Sequence, residues 1–493
     1  MDFAMPLVLW LPPALAAGGV VVGLVADALE RRAGSVVLMA LGLLGAAGAG
    51  AWLYASTPVE LVGGYLAVGG GFTTLPALVY ALAACSLVAG YRTYAGLDRG
   101  PAMAALVAFG AVFAHTLIAA LDLIVLFVSL SGLAVVAYGL VSGAGTRRAE
   151  ESVVRYVVQG VVATGLTVYG LALVVGLSGG ETRFVGAALS LAGAQARPAL
   201  LALGFVVSAF AFKLGAFPFH AWVPDVYETA DRASTAFIAS GMKVAATVAL
   251  LLVVRGTVFQ AGVFAPATNL LMAVGLGSLV FGALGMLRQK NVGRLLGYSG
   301  IAQVGYALLA IAAGESGVRA TVVFIVTYAV AAAASFITLA AIGRVRPAWD
   351  GTIVGLGGLS RRAPLLSAAL AVTMLSLTGI PLFAGFWGKL YVFLGLIDAG
   401  HLWIALAAGV AAVVSFGGYG AVVKAAYFDD ATAHPAGPEP VGDSGGSVDV
   451  EPETAERGGS PAVMAVVLAL VIIAGGVAPL VAGVGPVYSV FGL

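Results

Sequence analysis

The sequence predicts an all-α polytopic membrane protein with about fourteen transmembrane helices. Two observations concern composition: 61% of the 493 residues are apolar and only 10% are charged, whereas soluble domains carry about 25% charged residues. The third observation is a series of continuous apolar runs, each near the roughly 20 residues that a helix needs to cross a bilayer. We therefore expect the chain to lie in a lipid bilayer.

The same composition excludes several classes of protein. A charged fraction of 10% is too low for a soluble enzyme or a disordered scaffold, and a formal net charge of +1 leaves no basic groove for nucleic acid. The chain contains one cysteine, Cys85. A single cysteine excludes a disulfide framework, a cysteine-ligated zinc site and a self-contained iron–sulfur cluster.

Charged or Gly/Pro-rich segments separate fourteen apolar runs, which we number as spans 1 to 14. Their approximate bounds are 5–26, 34–56, 73–91, 101–120, 122–143, 153–177, 198–217, 232–254, 267–287, 293–313, 318–343, 364–390, 402–427 and 461–487. Of the 24 Lys and Arg residues, 17 lie in loops after odd-numbered spans, 4 in loops after even-numbered spans and 3 inside spans. Because basic residues concentrate in cytoplasmic loops, this bias predicts a multi-pass protein of the cell (inner) membrane, with cytoplasmic odd loops and both termini outside.

The spans divide the chain into five segments. Spans 4–8 and 9–13 are predicted to form two five-helix repeats, and the second copy is inverted because each repeat holds an odd number of spans. Residues 428–460 hold 8 of the 23 carboxylates together with Pro, Gly and Ser, which is typical of a flexible, solvated linker. The predicted segments are N-terminal helices 1–3 (1–100), the first repeat (101–256), the second repeat (267–428), an acidic flexible cytoplasmic loop (429–460) and a C-terminal helix (461–493).

Three lysines lie near the middle of predicted spans: Lys213 in span 7, Lys243 in span 8 and Lys389 in span 12. A charge at the bilayer centre costs at least about 2.5–3.5 kcal/mol. The chain has 19 Arg but only 5 Lys, so its loops use Arg almost exclusively while its spans use Lys. Because a desolvated lysine exchanges its proton more readily than an arginine, this allocation predicts a mid-membrane proton relay. Snorkelling, or static pairing with a carboxylate, is the alternative for any one of them.

Two of these spans also contain a proline. Pro218 follows Lys213 in span 7, and Pro381 precedes Lys389 in span 12. A proline inside a span removes one backbone hydrogen bond and frees a carbonyl, so helices 7 and 12 are predicted to be discontinuous. Paired interruptions in corresponding positions of two repeats are typical of an ion path in a transporter, although a single kink commonly serves packing alone.

Other polar residues in or beside the spans are candidates for the relay or its exit. For a histidine in span 4, a hydrogen-bonded packing role is the alternative. For His220 and Asp225, which follow the break in span 7, the alternative is a structural clasp. Tyr298, Ser299 and Gln303 lie at near one-turn spacing in span 10 and could hold water along the helix. For these three residues the alternative is a packing role. These candidates are His115, His220, Asp225, Tyr298, Ser299 and Gln303.

Several segments carry a family resemblance, in this order along the chain: 212–213, 218–227, 288–306 and 375–389. They resemble the antiporter-like subunit N of respiratory complex I (NADH:quinone oxidoreductase) and of related quinone-reducing complexes. The resemblance extends from about Asp122 to Lys424. The Pro-Asp-Val-Tyr sequence at 224–227 resembles subunit N more than subunits L and M.

The resemblance implies a proton-translocating membrane-arm subunit of a redox-driven NADH (or related donor):quinone oxidoreductase. The family's relay lysines match Lys213, Lys243 and Lys389. Flavin, iron–sulfur clusters and quinone are expected in partner subunits, both membrane and peripheral, and no cofactor is expected in this chain, so it is an enzyme only as part of a translocase. The alternatives are a subunit of a multisubunit cation/proton antiporter or membrane-bound hydrogenase, and a non-conducting structural subunit of the arm.

The sequence departs from the family's pattern in span 5. The resemblance places there a glutamate that partners the span 7 lysine, but this chain has Ser131. Because an opposite charge stabilises the protonated form of a lysine, we expect Lys213 to contribute less than its counterpart in relatives. Lys243 and Lys389 are then the predicted working pair.

Overall fold

The computed structural model describes residues 7–56, 59–62, 64–69, 71–187, 196–258, 264–430 and 459–482. Its architecture is a helical bundle with one small hairpin, in which β1 (Glu60–Val62) and β2 (Leu66–Val68) pair antiparallel. The helices are α1 Leu11–Ala28, α2 Arg32–Ser56, α3 Gly71–Gly96, α4 Gly100–Ala119, α5 Leu123–Ser142, α6 Arg147–Leu177, α7 Ala196–Leu214, α8 Trp222–Thr229, α9 Arg232–Ala239, α10 Gly241–Val253, α11 Phe264–Met286, α12 Val292–Ala312, α13 Glu315–Val345, α14 Leu359–Arg362, α15 Pro364–Thr378, α16 Ala384–Asp398, α17 Leu402–Phe428 and α18 Gly459–Ala482.

Each predicted span corresponds to a helix or to a pair of helices. Within the described residues, 11 helical segments are long and apolar enough to cross a membrane. Three shorter apolar segments, Leu200–Leu214, Pro364–Thr378 and Pro461–Val477, account for spans 7, 12 and 14. The prediction of an all-α polytopic membrane protein is confirmed. The acidic loop predicted at 429–460 lies almost entirely outside the described residues.

The two predicted helix breaks are present, and glycine makes both turns. Helix α7 ends before Gly215, which has φ +74°, and α15 ends before Gly379, which has φ +90°. Only glycine adopts such positive φ values without strain. Pro218 and Pro381 lie in the segments that follow, where their missing N–H groups deprive no helix of a bond.

Span 8 is also broken, and its prediction as one continuous helix is wrong. Helix α9 ends at Ala239, and α10 begins at Gly241. Between them Ser240 has φ −117° and ψ −80°, outside the helical region. No proline signals this break, which places Lys243 at the third residue of a helix instead of in mid-helix.

The predicted repeats share one local arrangement. At the start of α5, Asp122 forms a β-bridge to Arg183 in the segment after α6. At the start of α12, Asn291 forms the corresponding bridge to Thr352 in the segment after α13. In both places the bridging side chain also caps the helix that follows, by accepting a backbone N–H. The match supports the repeat, while the inversion of its second copy stays a prediction.

The helices differ in how deeply they lie in the bundle. Nearly all residues of α12 and of the α9–α10 pair are buried, whereas most residues of α1 and α6 are only partly buried or exposed. The exposed faces of α5 and α6 carry valines and isoleucine, which suit lipid or another subunit. The central helices therefore hold the polar groups that water and lipid do not reach.

Candidate functional site

Lys389 is buried and bound to the end of the preceding helix. Its side chain is 5% exposed, and Nζ donates to the carbonyl oxygens of Leu377 and Thr378 at 2.9 Å each. These carbonyls belong to the last turn of α15, where no helical N–H follows to satisfy them. The break in span 12 thus supplies the acceptors for the lysine.

An aromatic ring completes the surroundings of Lys389. Nζ lies 4.8 Å from the centroid of Tyr306, within the range of a cation–π contact. The hydroxyl of Tyr306 is held by a hydrogen bond to Ala408 O at 2.8 Å, which orients the ring.

Lys243 has a similar environment on α10. It is 2% exposed, and Nζ donates to Gly300 O at 3.2 Å. The rings of Tyr227 and Tyr328 lie 5.6 and 5.8 Å from the amine. A side chain at Gly300 would collide with Lys243, since a Cβ there would come within 2.9 Å of Nζ. The glycine is therefore needed for this close approach.

One turn of α12 connects the two lysines. Gln303 Nε2 donates to Leu377 O at 2.8 Å, which is the same carbonyl that binds Lys389. Gln303 also donates to the Tyr419 hydroxyl at 3.1 Å. We call the set Lys389, Leu377 O, Gln303, Tyr419 and Ser299 the polar chain. It ends at Ser299, the neighbour of Gly300.

Tyr419 is the member of the polar chain that sequence reasoning missed. Its hydroxyl lies 2.6 Å from Ser299 Oγ, and the residue is fully buried on α17. A tyrosine inside an apolar span was the available signal, because a buried phenol needs a hydrogen-bond partner. Tyr298 was predicted to lie along the same path, but it packs on Gly285 of α11. Tyr298 and Ser299 point to different sides of α12, because successive residues of a helix are rotated by about 100°.

Lys213 stands apart from the polar chain. It lies in the last turn of α7 and is 9% exposed, and among the described residues its Nζ has no hydrogen-bond partner. It lines a cavity of about 30 Å³. Other members of the cavity wall are Phe127, Leu130, Ser131, Ala134, Tyr138, Ala163, Thr164, Thr167, Ala209 and Phe212. Ser131 thus shares a cavity with Lys213, at the position where the resemblance puts the lysine's partner.

The two histidine candidates have aromatic neighbours. Nδ1 of the buried His115 lies 2.9 Å from the Tyr80 hydroxyl, which fits the hydrogen-bonded packing role weighed for it. His220 is in the break after α7, next to Phe217 and Phe281, at centroid distances of 5.7 and 5.5 Å. Within the described part of the chain, its buried Nδ1 has no partner. Neither histidine belongs to the polar chain.

Asp225 on α8 is an ion-pair centre. Its carboxylate binds Arg155 of α6 at 3.1 Å and Arg294 of α12 at 2.7 Å. Arg294 also binds Glu228 at 3.0 Å. Asp225, with 18% of its side chain exposed, joins α8 to α6 and α12 by ion pairs. This arrangement fits the structural clasp, which was the alternative to an exit role.

Comparisons with known proteins agree with this geometry. The family model for the transmembrane part of NADH:quinone oxidoreductase and Mrp antiporter subunits matches residues 120–415. A protein named NADH-quinone oxidoreductase subunit N from Sphingopyxis alaskensis is 34% identical over 406 residues, which cover 81% of this chain and 84% of that protein.

Solved structures extend the agreement to the fold. A chain of respiratory complex I from Thermus thermophilus with bound aureothin superposes with a TM-score of 0.76 at 26% identity, over 95% of this chain and 98% of that one. A chain of the Mrp complex from a Dietzia species reaches 0.80 at 22% identity, over 99% and 97%, and shows similarity of fold alone. The region that the family model matches includes all three buried lysines and every member of the polar chain except Tyr419, and the chain belongs to the NADH:quinone oxidoreductase/Mrp antiporter transmembrane family.

Proposed function

We propose that this chain is a proton-translocating membrane-arm subunit of a redox-driven NADH (or related donor):quinone oxidoreductase, in the role of subunit N. The observation that carries the proposal is the pair of buried lysines beside one turn of α12: the polar chain runs from Lys389 to Ser299, and the next residue, Gly300, binds Lys243 through its carbonyl. The named relatives favour this function over the antiporter, which is supported by the shared family model and by similarity of fold but by none of the named relatives.

The mechanism we infer is protonation switching between Lys243 and Lys389. Each amine faces carbonyl oxygens and tyrosine rings, which stabilise the ammonium form inside the bundle. Because Gln303 shares the Leu377 carbonyl with Lys389, loss of a proton at Lys389 alters the hydrogen bonding of Gln303. We infer that the two lysines influence each other's protonation electrostatically.

Other subunits supply the driving chemistry in this proposal. Flavin, iron–sulfur clusters and quinone belong to partner chains, and this chain contributes the path of the proton. We infer from the loop charges that the odd-numbered loops face the cytoplasm. Reporter fusions after residues 148, 292 and 440 are expected to be cytoplasmic and a fusion after 183 external; an external reporter after 440 would contradict this topology.

The decisive test replaces Lys389 in the intact complex. Lys389→Ala should lower proton pumping and coupled quinone reduction at least about tenfold, equivalent to ~1.4 kcal/mol, without preventing assembly. Lys389→Arg should also impair pumping, because arginine keeps its charge and does not release the proton.

The matched control is Lys424→Ala, which removes an exposed lysine that pairs with Asp429 at 2.8 Å. It should pump normally. Normal pumping in Lys389→Ala would favour the non-conducting structural subunit. Sodium-dependent proton flux without quinone reduction would favour the antiporter.

A further inference from the structure

We propose that the cavity beside Lys213 binds a small monovalent anion such as chloride. Only 9% of Lys213 is exposed, so the residue is more than nine-tenths buried. Within the described residues its amine has no hydrogen-bond partner. An unpaired ammonium group in the interior of a protein costs several kcal/mol. Among the described residues that line the cavity, Lys213 is the only charged one, so the balancing charge has to come from outside them.

The wall of the cavity has hydrogen-bond donors for an anion. Ser131 of α5 and Thr164 of α6 line the same cavity as Lys213, and each carries a hydroxyl group. The hydroxyl of Thr167 is less suited, because it donates to Ala163 O at 2.7 Å. An ammonium group together with hydroxyl donors is a donor set that suits a halide, since halides need only donors.

The size of the cavity selects a monatomic ion. Its volume of about 30 Å³ exceeds the ~10–15 Å³ that one water needs. A carboxylate that arrived from an adjoining subunit would also need space for its methylene stem and a path to a buried nitrogen. Thr164 is exposed, whereas Lys213 Nζ is buried. A small ion needs less space to reach this nitrogen than a side chain on a fixed backbone does.

The test measures binding of radioactive chloride to the purified complex in the absence of catalytic turnover. Wild-type complex should bind one more chloride per subunit than Lys213→Met. Ser131→Glu should lose the same chloride, because its carboxylate fills the cavity and pairs with the lysine. Lys424→Met is the matched control for loss of a lysine and should bind as the wild type does.

The Ser131→Glu variant also distinguishes loss of the chloride site from misfolding, because it retains Lys213 and supplies a countercharge for it. Equal chloride binding in wild type, Lys213→Met and Ser131→Glu would overturn the proposal. No bound chloride in the wild type, with a neighbouring subunit's carboxylate in the cavity, would also overturn it. Because the assay needs no turnover, its result is independent of whether Lys389 carries protons.

Discussion

Lys389 and Lys213 lie in the two matching broken spans, yet their amines have opposite surroundings. Both are nearly fully buried, at 5% and 9% exposure. Lys389 binds two carbonyls freed at the end of α15, whereas Lys213 has no partner among the described residues. At the first break, the carbonyl of Phe212 accepts instead from Gly215 N at 3.0 Å and from Trp222 Nε1 at 3.1 Å.

The position of each lysine relative to its break explains the difference. Helical side chains tilt toward the N-terminus of their helix. Lys389 follows its break, so its side chain points back to the free carbonyls of α15. Lys243 also follows a break, at Ser240, but its amine binds Gly300 O inside α12 instead of a carbonyl at the end of the preceding helix. Lys213 precedes its break, and its side chain points away from the carbonyls at the end of α7.

The largest expected effect tests this comparison directly. Lys389→Ala should reduce proton pumping at least about tenfold, or ~1.4 kcal/mol, and Lys213→Ala should reduce it much less, because only Lys389 is joined to the polar chain. The measurement is proton uptake per quinone reduced in reconstituted vesicles. If Lys213→Ala abolishes pumping, a further group completes the first half, and the comparison between the two lysines fails.

The second prediction makes the first region more like the second. Ser131→Glu should supply a carboxylate in the cavity beside Lys213 and so make this lysine important for pumping. In that background Lys213→Ala should cost severalfold more activity than it does in the wild type, since it leaves a buried carboxylate unpaired. The double-mutant cycle measures this coupling, and Ser131→Ala is the neutral control. Additive effects would argue that residues 131 and 213 do not interact.

A smaller effect is expected at the polar chain itself. Tyr419→Phe removes the hydroxyl that joins Ser299 to Gln303. Loss of one such bond costs about 0.5–1.5 kcal/mol, so pumping should slow by roughly two- to tenfold. Tyr298→Phe is the matched control, because Tyr298 is on the same helix as Ser299 but packs on Gly285. Equal losses in both variants would remove Tyr419 from the proton path.

The smallest predicted effect on transport concerns Asp225, the ion-pair centre. Asp225→Asn weakens contacts to Arg155 and Arg294, and should lower the free energy of unfolding by about 1–3 kcal/mol. Pumping per assembled complex should change little. The exposed pair of Arg255 and Glu315, at 3.2 Å, offers a control, and Glu315→Gln should cost about 0–1 kcal/mol. Thermal denaturation of the complex distinguishes the two, and a normal melting temperature for Asp225→Asn would contradict the clasp.

Particular residues show how far sequence reasoning reached into the site. Lys389, Gln303 and Ser299 were candidates from their position in apolar spans, and the structure brings them together. Tyr419 was missed, and Tyr298 was placed on the wrong face. Span 8 was expected to be continuous, because Ser240 carries no signal as strong as that of a proline or a left-handed glycine.

The sequence by itself determined the membrane location, the fourteen spans, the two proline breaks and the buried lysines. These follow from hydropathy, chain length and covalent geometry, which are properties of local sequence. Only the tertiary structure decided which lysine finds a partner. The partners are main-chain carbonyls of other helix turns, Leu377, Thr378 and Gly300. Every residue carries such a carbonyl, so its availability depends on where a helix ends and what packs beside it, and residue type does not reveal this.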